Sequence, residues 1–155
     1  MIRALRVDYR LIHGQVAFSY IAKTGADCIL LASDTLLDDP LRLQTVKLTK
    51  PQNVKVVAKT VEDGIAALKS GVTDKYKLLI ICENIGDAYR IATAVNAESV
   101  NLGGTCDNEG KKHLGQAVYA NEKELEQLRE MTAKGIYCFV QGAASDKEID
   151  ISKQI

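Results

Sequence analysis

No stretch of this 155-residue sequence is apolar for the roughly 20 residues that a membrane-spanning helix needs, so direct membrane insertion is not expected. The start, MIRALRVDYR, lacks the apolar core of a secretory signal, which makes the cytoplasm the expected compartment. An excess of one charge is missing too. Twenty basic and twenty acidic residues sum to a formal charge of zero, which argues against a nucleic-acid binder driven by a strong basic field. The four cysteines, Cys28, Cys82, Cys106 and Cys138, lie far apart with no CxxC pair. That spacing speaks against a disulfide framework or a zinc site, so neither a metal nor another cofactor is expected. The absence of a GxGxxG run, or of GxxxxGK followed by Ser or Thr, counts against a mononucleotide-binding domain. Repeats, linkers and low-complexity tracts are missing as well, so residues 1–155 read as one domain.

What is present is an alternation of short apolar runs with longer amphipathic ones. IRALRV (2–7), DCILLAS (27–33), VKVVAK (54–59), YKLLIIC (76–82), SVNLGG (99–104), QAVYA (116–120) and IYCFVQ (136–141) read as strands. Between them, GQVAFSYIAKTG (14–25) reads as a helix closing at Gly25. Asp34 is placed to cap a segment from Thr35 to about Lys50, broken near Pro40. Thr60 and Asp63 resemble a capping box that opens a helix ending at Gly71. Further helices are expected around Ile85 to Val95 and over EKELEQLREMTAKG, capped by Asn121. A polar, glycine-punctuated loop follows Gly104, and the tail after Gln141 is polar. Strands apolar on both faces and separated by helices predict an α/β fold: a single domain with a mainly parallel central sheet covered by helices on both faces.

Ligands of such sheets sit beyond the carboxyl ends of the strands. The segment Asp8 to Gln15 follows the first strand and holds His13, one of only two histidines in the chain. It places the imidazole just ahead of a helix N-terminus, where unpaired backbone N–H groups and the helix dipole favour an anion. Gly14 lets the backbone approach closely, and Arg10 can hold phosphate oxygens in a fork. An arginine hydrogen bond of that kind is worth about 1.5–3 kcal/mol, against about 0.3–1 for the dipole at an exposed site. Arginine is therefore the larger contributor. Asp8 is a candidate for orienting either the ring or Arg10, and Gln15 for donating to a phosphate oxygen. An imidazole beside an anion cradle can accept and release a phosphoryl group. The same imidazole, following Leu11 and Ile12, also reads as a packed structural residue.

The string D-Y-R-L-I-H-G-Q-V from Asp8 to Val16 resembles the active-site loop of the IIB components of the mannose/fructose/sorbose family of sugar phosphotransferase systems. V-N-L-G-G at 100–104, Gln116-Ala117-Val118 and EKELEQLREMTAKGIYCFVQ are similar to later family segments, so the resemblance spans nearly the whole chain. It implies that His13 takes a phosphoryl group on its pros nitrogen from the phosphohistidine of a cognate IIA domain. The group then passes to a sugar carried by the membrane IIC and IID components. Matched by position, Arg10 becomes the phosphate partner, and the backbone of Leu11, Ile12, Gly14 and Gln15 becomes the cradle. Two departures stand out. Tyr9 occupies a position that is often aspartate in the family, and Ala17-Phe18-Ser19-Tyr20 lacks a tryptophan common there. Tyr9 motivates an alternative reading, a regulatory IIB-like paralogue that binds partners without efficient sugar phosphorylation.

Outside the loop, Gly103 and Gly104 read either as a tight turn or as a second backbone wall for the phosphate. His113, beside Lys111 and Lys112, reads as a solvated loop histidine or as part of a rim for an acidic partner. Ser33-Asp34 reads as a helix cap.

Overall fold

Strand β1 (Ile2–Asp8) runs through the middle of the main sheet, and its side chains alternate between two different environments. The computed structural model describes residues 1–106 and 109–155, with residue 15 described by its backbone only. The strands that follow are β2 (Cys28–Ala32), β3 (Lys55–Lys59), β4 (Leu78–Cys82), β5 (Ser99–Gly104), β6 (Lys112–Gly115), β7 (Val118–Ala120), β8 (Tyr137–Val140) and β9 (Ile149–Asp150). The helices are α1 (Gly14–Thr24), α2 (Pro40–Thr49), α3 (Val61–Ser70), α4 (Ile85–Val95) and α5 (Glu122–Ala133), with a 3-10 turn at Leu36–Asp38.

Among the described residues the main sheet has seven strands in the order β3-β2-β4-β1-β5-β8-β9, all parallel except β9. Leu5 and Val7 of β1 join the core made with α3, α4 and α5. On the opposite face α1 and α2 pack Ala17, Tyr20, Leu43 and Val46 over Ile29, Leu31, Leu79 and Ile81. The predicted class, helices on both faces of a mainly parallel sheet, is the fold observed. The continuously buried runs of β2 and β4, with every residue of both inaccessible, are what a sheet covered twice requires.

Three local expectations are corrected. Asp34 does not cap the segment after it: its Oδ1 accepts from Val61 N across the loop at 2.9 Å, and α2 is capped by Asp39, which accepts from Arg42 N. Residues 118–120 do not extend the main sheet but pair with β6 in a separate two-stranded antiparallel hairpin. The polar tail contributes β9, an antiparallel edge strand beside β8. The break near Pro40 holds, as do the cap of Thr60 on Asp63 N and the Asn121–Glu124 capping box of α5.

The helix after β1 and the helix after β4 leave for opposite faces, although these strands are neighbours. That divergence opens a crevice at their carboxyl ends, the place where open parallel sheets hold ligands.

Candidate functional site

At the end of β1 the chain folds into a tight turn, with Leu11 N donating to Asp8 O at 2.9 Å. Asp8 also takes Arg10 N onto its side-chain Oδ1 at 3.1 Å, the Asx-turn geometry that short acidic side chains favour. Leu11 then adopts φ 60, a left-handed conformation costly for a branched residue. Burial holds it there. Leu11 and Ile12 are each only 3% exposed and sink into the α1–α2 core. Their side chains anchor the loop, so that their backbone carries His13 to the surface. His13 sits at the N-cap of α1 in extended conformation and makes no capping bond with its side chain. Gly14 follows with φ 44 and open space where a Cβ would be, so its requirement is conformational and not steric.

The three charged residues of the loop meet on one carboxylate. Asp8 Oδ2 lies 2.9 Å from His13 Nε2, and Oδ1 lies 3.3 Å from Arg10 Nε. The sequence left open whether Asp8 orients the ring or the arginine; it holds both. Burial pushes the Asp8 carboxyl up, but bonds from His13 and the Arg10 backbone, with the positive charge of Arg6, outweigh it and hold the group below the ordinary carboxylate range. An ionised carboxylate can only accept hydrogen bonds. The proton of a neutral His13 therefore sits on Nε2 and the lone pair on Nδ1. Among the described residues Nδ1 makes no hydrogen bond, and neither do the two Nη nitrogens of Arg10.

Arg6 escaped the sequence reading. It is 2% exposed, and its guanidinium donates to Asn101 Oδ1 at 2.6 Å, Gln141 O at 3.0 Å, Gly142 O at 2.7 Å and Asp8 Oδ2 at 3.2 Å. The Tyr20 ring of α1 covers it at 4.5 Å. Burial raises the Tyr20 phenol to about 12, so it stays a neutral donor, bonding the side chain of Gln141. A buried arginine inside a strand was the available signal. Arg6 and Asp8, two apart on β1, share the face under α1 by strand alternation. The Arg6 acceptors Asn101, Gln141 and Gly142, 95 and more positions away, were not legible.

Gly103 and Gly104 divide between two surroundings. A Cβ on Gly103 would come within 2.3 Å of Arg6 Cζ, so this glycine makes room for the buried guanidinium. Gly104 adjoins the loop: its carbonyl accepts from Tyr9 N at 3.2 Å, and Arg10, Asp8 and Tyr9 lie within 4 Å of its Cβ position. Both lie in β5, not in a turn. The expected contribution of the Gln15 side chain falls outside the described residues. His113 lies on β6 rather than in a loop; its ring stacks on Tyr119 at 4.5 Å and its Nε2 contacts Gln116 O at 2.6 Å. Ser33 is buried and its Oγ accepts from Leu36 N at 3.1 Å, while the N-cap of the 3-10 turn is Thr35.

A cavity of about 360 Å³ occupies the crevice beside the loop, lined by Tyr9, Arg42, Glu83, Asn84, Thr105 and Cys106 among others. Cys28, Cys82 and Cys138 are buried, and Cys106 is exposed. No group of His, Cys, Asp and Glu suited to a metal ion is found among the described residues, and no helix there is long and apolar enough to cross a membrane.

Comparison with known proteins follows the same lines. A family model described as PTS system sorbose subfamily IIB component matches residues 2–155. N-acetylgalactosamine-specific phosphotransferase enzyme IIB component 2 of Escherichia coli (strain K12) is 26% identical over 149 residues, covering 96% of this chain and 94% of that protein. The PTS system mannose-specific EIIAB component of the same strain is 28% identical over 145 residues, which are 93% of this chain but 45% of that protein. The crystal structure of the IIBSor domain of the sorbose permease from Klebsiella pneumoniae superimposes with a TM-score of 0.92 at 25% identity, covering 99% of this chain and 95% of that one.

Proposed function

This chain belongs to the sorbose subfamily of IIB components of the phosphotransferase system, and we propose that it carries a phosphoryl group on Nδ1 of His13. The donor is the phosphohistidine of a cognate IIA domain. The acceptor is a sugar presented by IIC and IID membrane components, which puts the carrier on the cytoplasmic side. One observation carries this reading: a single buried carboxylate holds His13 by Nε2 and Arg10 by Nε, leaving Nδ1 and both Nη nitrogens for the phosphoryl group.

In the first step the Nδ1 lone pair attacks phosphorus, and the N–P bond of the donor breaks as the new one forms. The ring keeps its Nε2 proton and gains positive charge, which the Asp8 carboxylate stabilises in place. Arg10 meets the phosphoryl oxygens from the side, and the backbone N–H groups opening α1 supply further positive field. In the second step a sugar hydroxyl attacks phosphorus and gives up its proton to solvent. The His13 N–P bond breaks and returns the ring as neutral imidazole. Gly14 and the extended His13 backbone keep the ring open to both partners, with the side chain 24% exposed.

The reading is tested by incubating the protein with phosphoenolpyruvate, the general phosphotransferase proteins and its IIA domain. Acid-labile label is expected on the unaltered protein and not on His13→Ala. Equal labelling of the two would defeat it.

A further inference from the structure

Each arginine that flanks Asp8 is covered by a tyrosine ring. Arg6, on the Oδ2 side, lies 4.5 Å from the centre of the Tyr20 ring in the interior. Arg10, on the Oδ1 side, lies 5.2 Å from the centre of the Tyr9 ring at the surface. Tyr9 is itself held by the strand beside it: its N–H donates to Gly104 O at 3.2 Å, and its ring and Arg10 Nη2 both lie in ordinary contact range of Gly104. We infer that Tyr9 is a positioning residue for phosphoryl transfer, holding the Arg10 guanidinium over its ring so that both Nη nitrogens face the phosphoryl group of His13.

The physical need is plain. Asp8 grips Arg10 at one atom, Nε, and a side chain that is 44% exposed keeps rotational freedom about that single bond. A ring face beneath the guanidinium removes part of that freedom, and a cation–π contact at an exposed site favours the stacked arrangement about two- to fivefold. The phenol hydroxyl plays no part in this, because the attraction belongs to the ring face. This role rests on the proposed phosphorylation of His13, and it gives the loop position where aspartate is common a use of its own.

The test compares the unaltered protein with Tyr9→Phe and Tyr9→Leu, each also combined with Arg10→Ala. Each protein is phosphorylated by phospho-IIA and freed of donor. Two quantities are measured: the first-order loss of phosphohistidine and the kinetics of acceptance. Tyr9→Phe is expected to match the unaltered protein. Tyr9→Leu is expected to shorten the phosphohistidine lifetime and lower kcat by about threefold, with KM for phospho-IIA unchanged. On the Arg10→Ala background, Tyr9→Leu should add nothing. Unchanged lifetimes in Tyr9→Leu, an effect that persists without Arg10, or a change confined to KM would overturn the assignment while leaving His13 as carrier. Failure of the unaltered protein to form phosphohistidine would overturn both.

Discussion

His13 Nε2 and Asp8 Oδ2 lie 2.9 Å apart, the ring partly open to solvent and the carboxylate fully buried. The pairing joins a buried anchor to a partly exposed imidazole only five positions away in the chain. Asp8 owes its immobility to the interior, where Arg6 ties it to Asn101 on β5 and to the backbone of Gln141 and Gly142 after β8. The His13 ring is thus fastened to three parallel strands through one side chain.

Asp8→Asn should destabilise the protein, because it leaves a buried guanidinium without its counter-ion. Losing one partner of a buried pair costs about 3–5 kcal/mol. Three neutral acceptors remain to Arg6, so a loss of about 3 kcal/mol is expected in urea unfolding at pH 7. The pH profile has a definite sign. The folded-state pKa of Asp8 is lowered, so its contribution is complete above the ordinary carboxylate value of 3.8 and disappears as pH falls through the lower folded value. The deficit of Asp8→Asn should therefore shrink in strong acid.

The neighbouring glycines of β5 should respond in opposite ways. Gly103→Ala brings a methyl group within 2.3 Å of the Arg6 guanidinium, whose two Nη nitrogens each hold two acceptors and whose face lies under the Tyr20 ring. Overpacking there is expected to cost about 3 kcal/mol or more. Gly104→Ala meets Arg10 Nη2 and Asp8 Oδ1 at 3.7 and 3.9 Å, ordinary contact distances, and should fold with little change. Thermal melts of the two variants decide the point; equal melting temperatures would contradict it.

Asp87 in the first turn of α4 is a stability liability at neutral pH. Burial raises its pKa to about 6, with Asp34 and Glu83 adding to the effect and Arg90 opposing it. The folded protein therefore holds this proton more tightly than the unfolded chain, and stability falls as pH rises from about 4 to 6. Asp87→Asn should raise stability by about 2 kcal/mol at pH 8 and leave it nearly unchanged at pH 4. Denaturant titrations at the two pH values check this.

The loop was legible in the sequence because its logic is local. Asp8, Arg10 and His13 fall within six residues, and a strand-to-helix junction is readable from apolar runs and Gly14. The parallel sheet was legible because β2 and β4 are buried on both faces. What stayed hidden depends on partners distant in sequence. Arg6 looked like any charged residue in a strand until Asn101, Tyr20 and Gln141 closed around it. Asp34 sits where a cap belongs, but its bond goes to Val61, 27 positions on. The β6–β7 hairpin and the two-residue β9 are too short and too polar for periodicity to reveal.

In the proposed transfer Asp8 holds the Nε2 proton and so leaves Nδ1 of His13 as the phosphoryl acceptor. Nitrogen-15 NMR of the phosphorylated protein, labelled in its histidines, tests it most directly. A phosphorus–nitrogen coupling is expected at Nδ1 of His13, with Nε2 still protonated and His113 unaltered. Phosphorus on Nε2 of His13, or on any other residue, would contradict it.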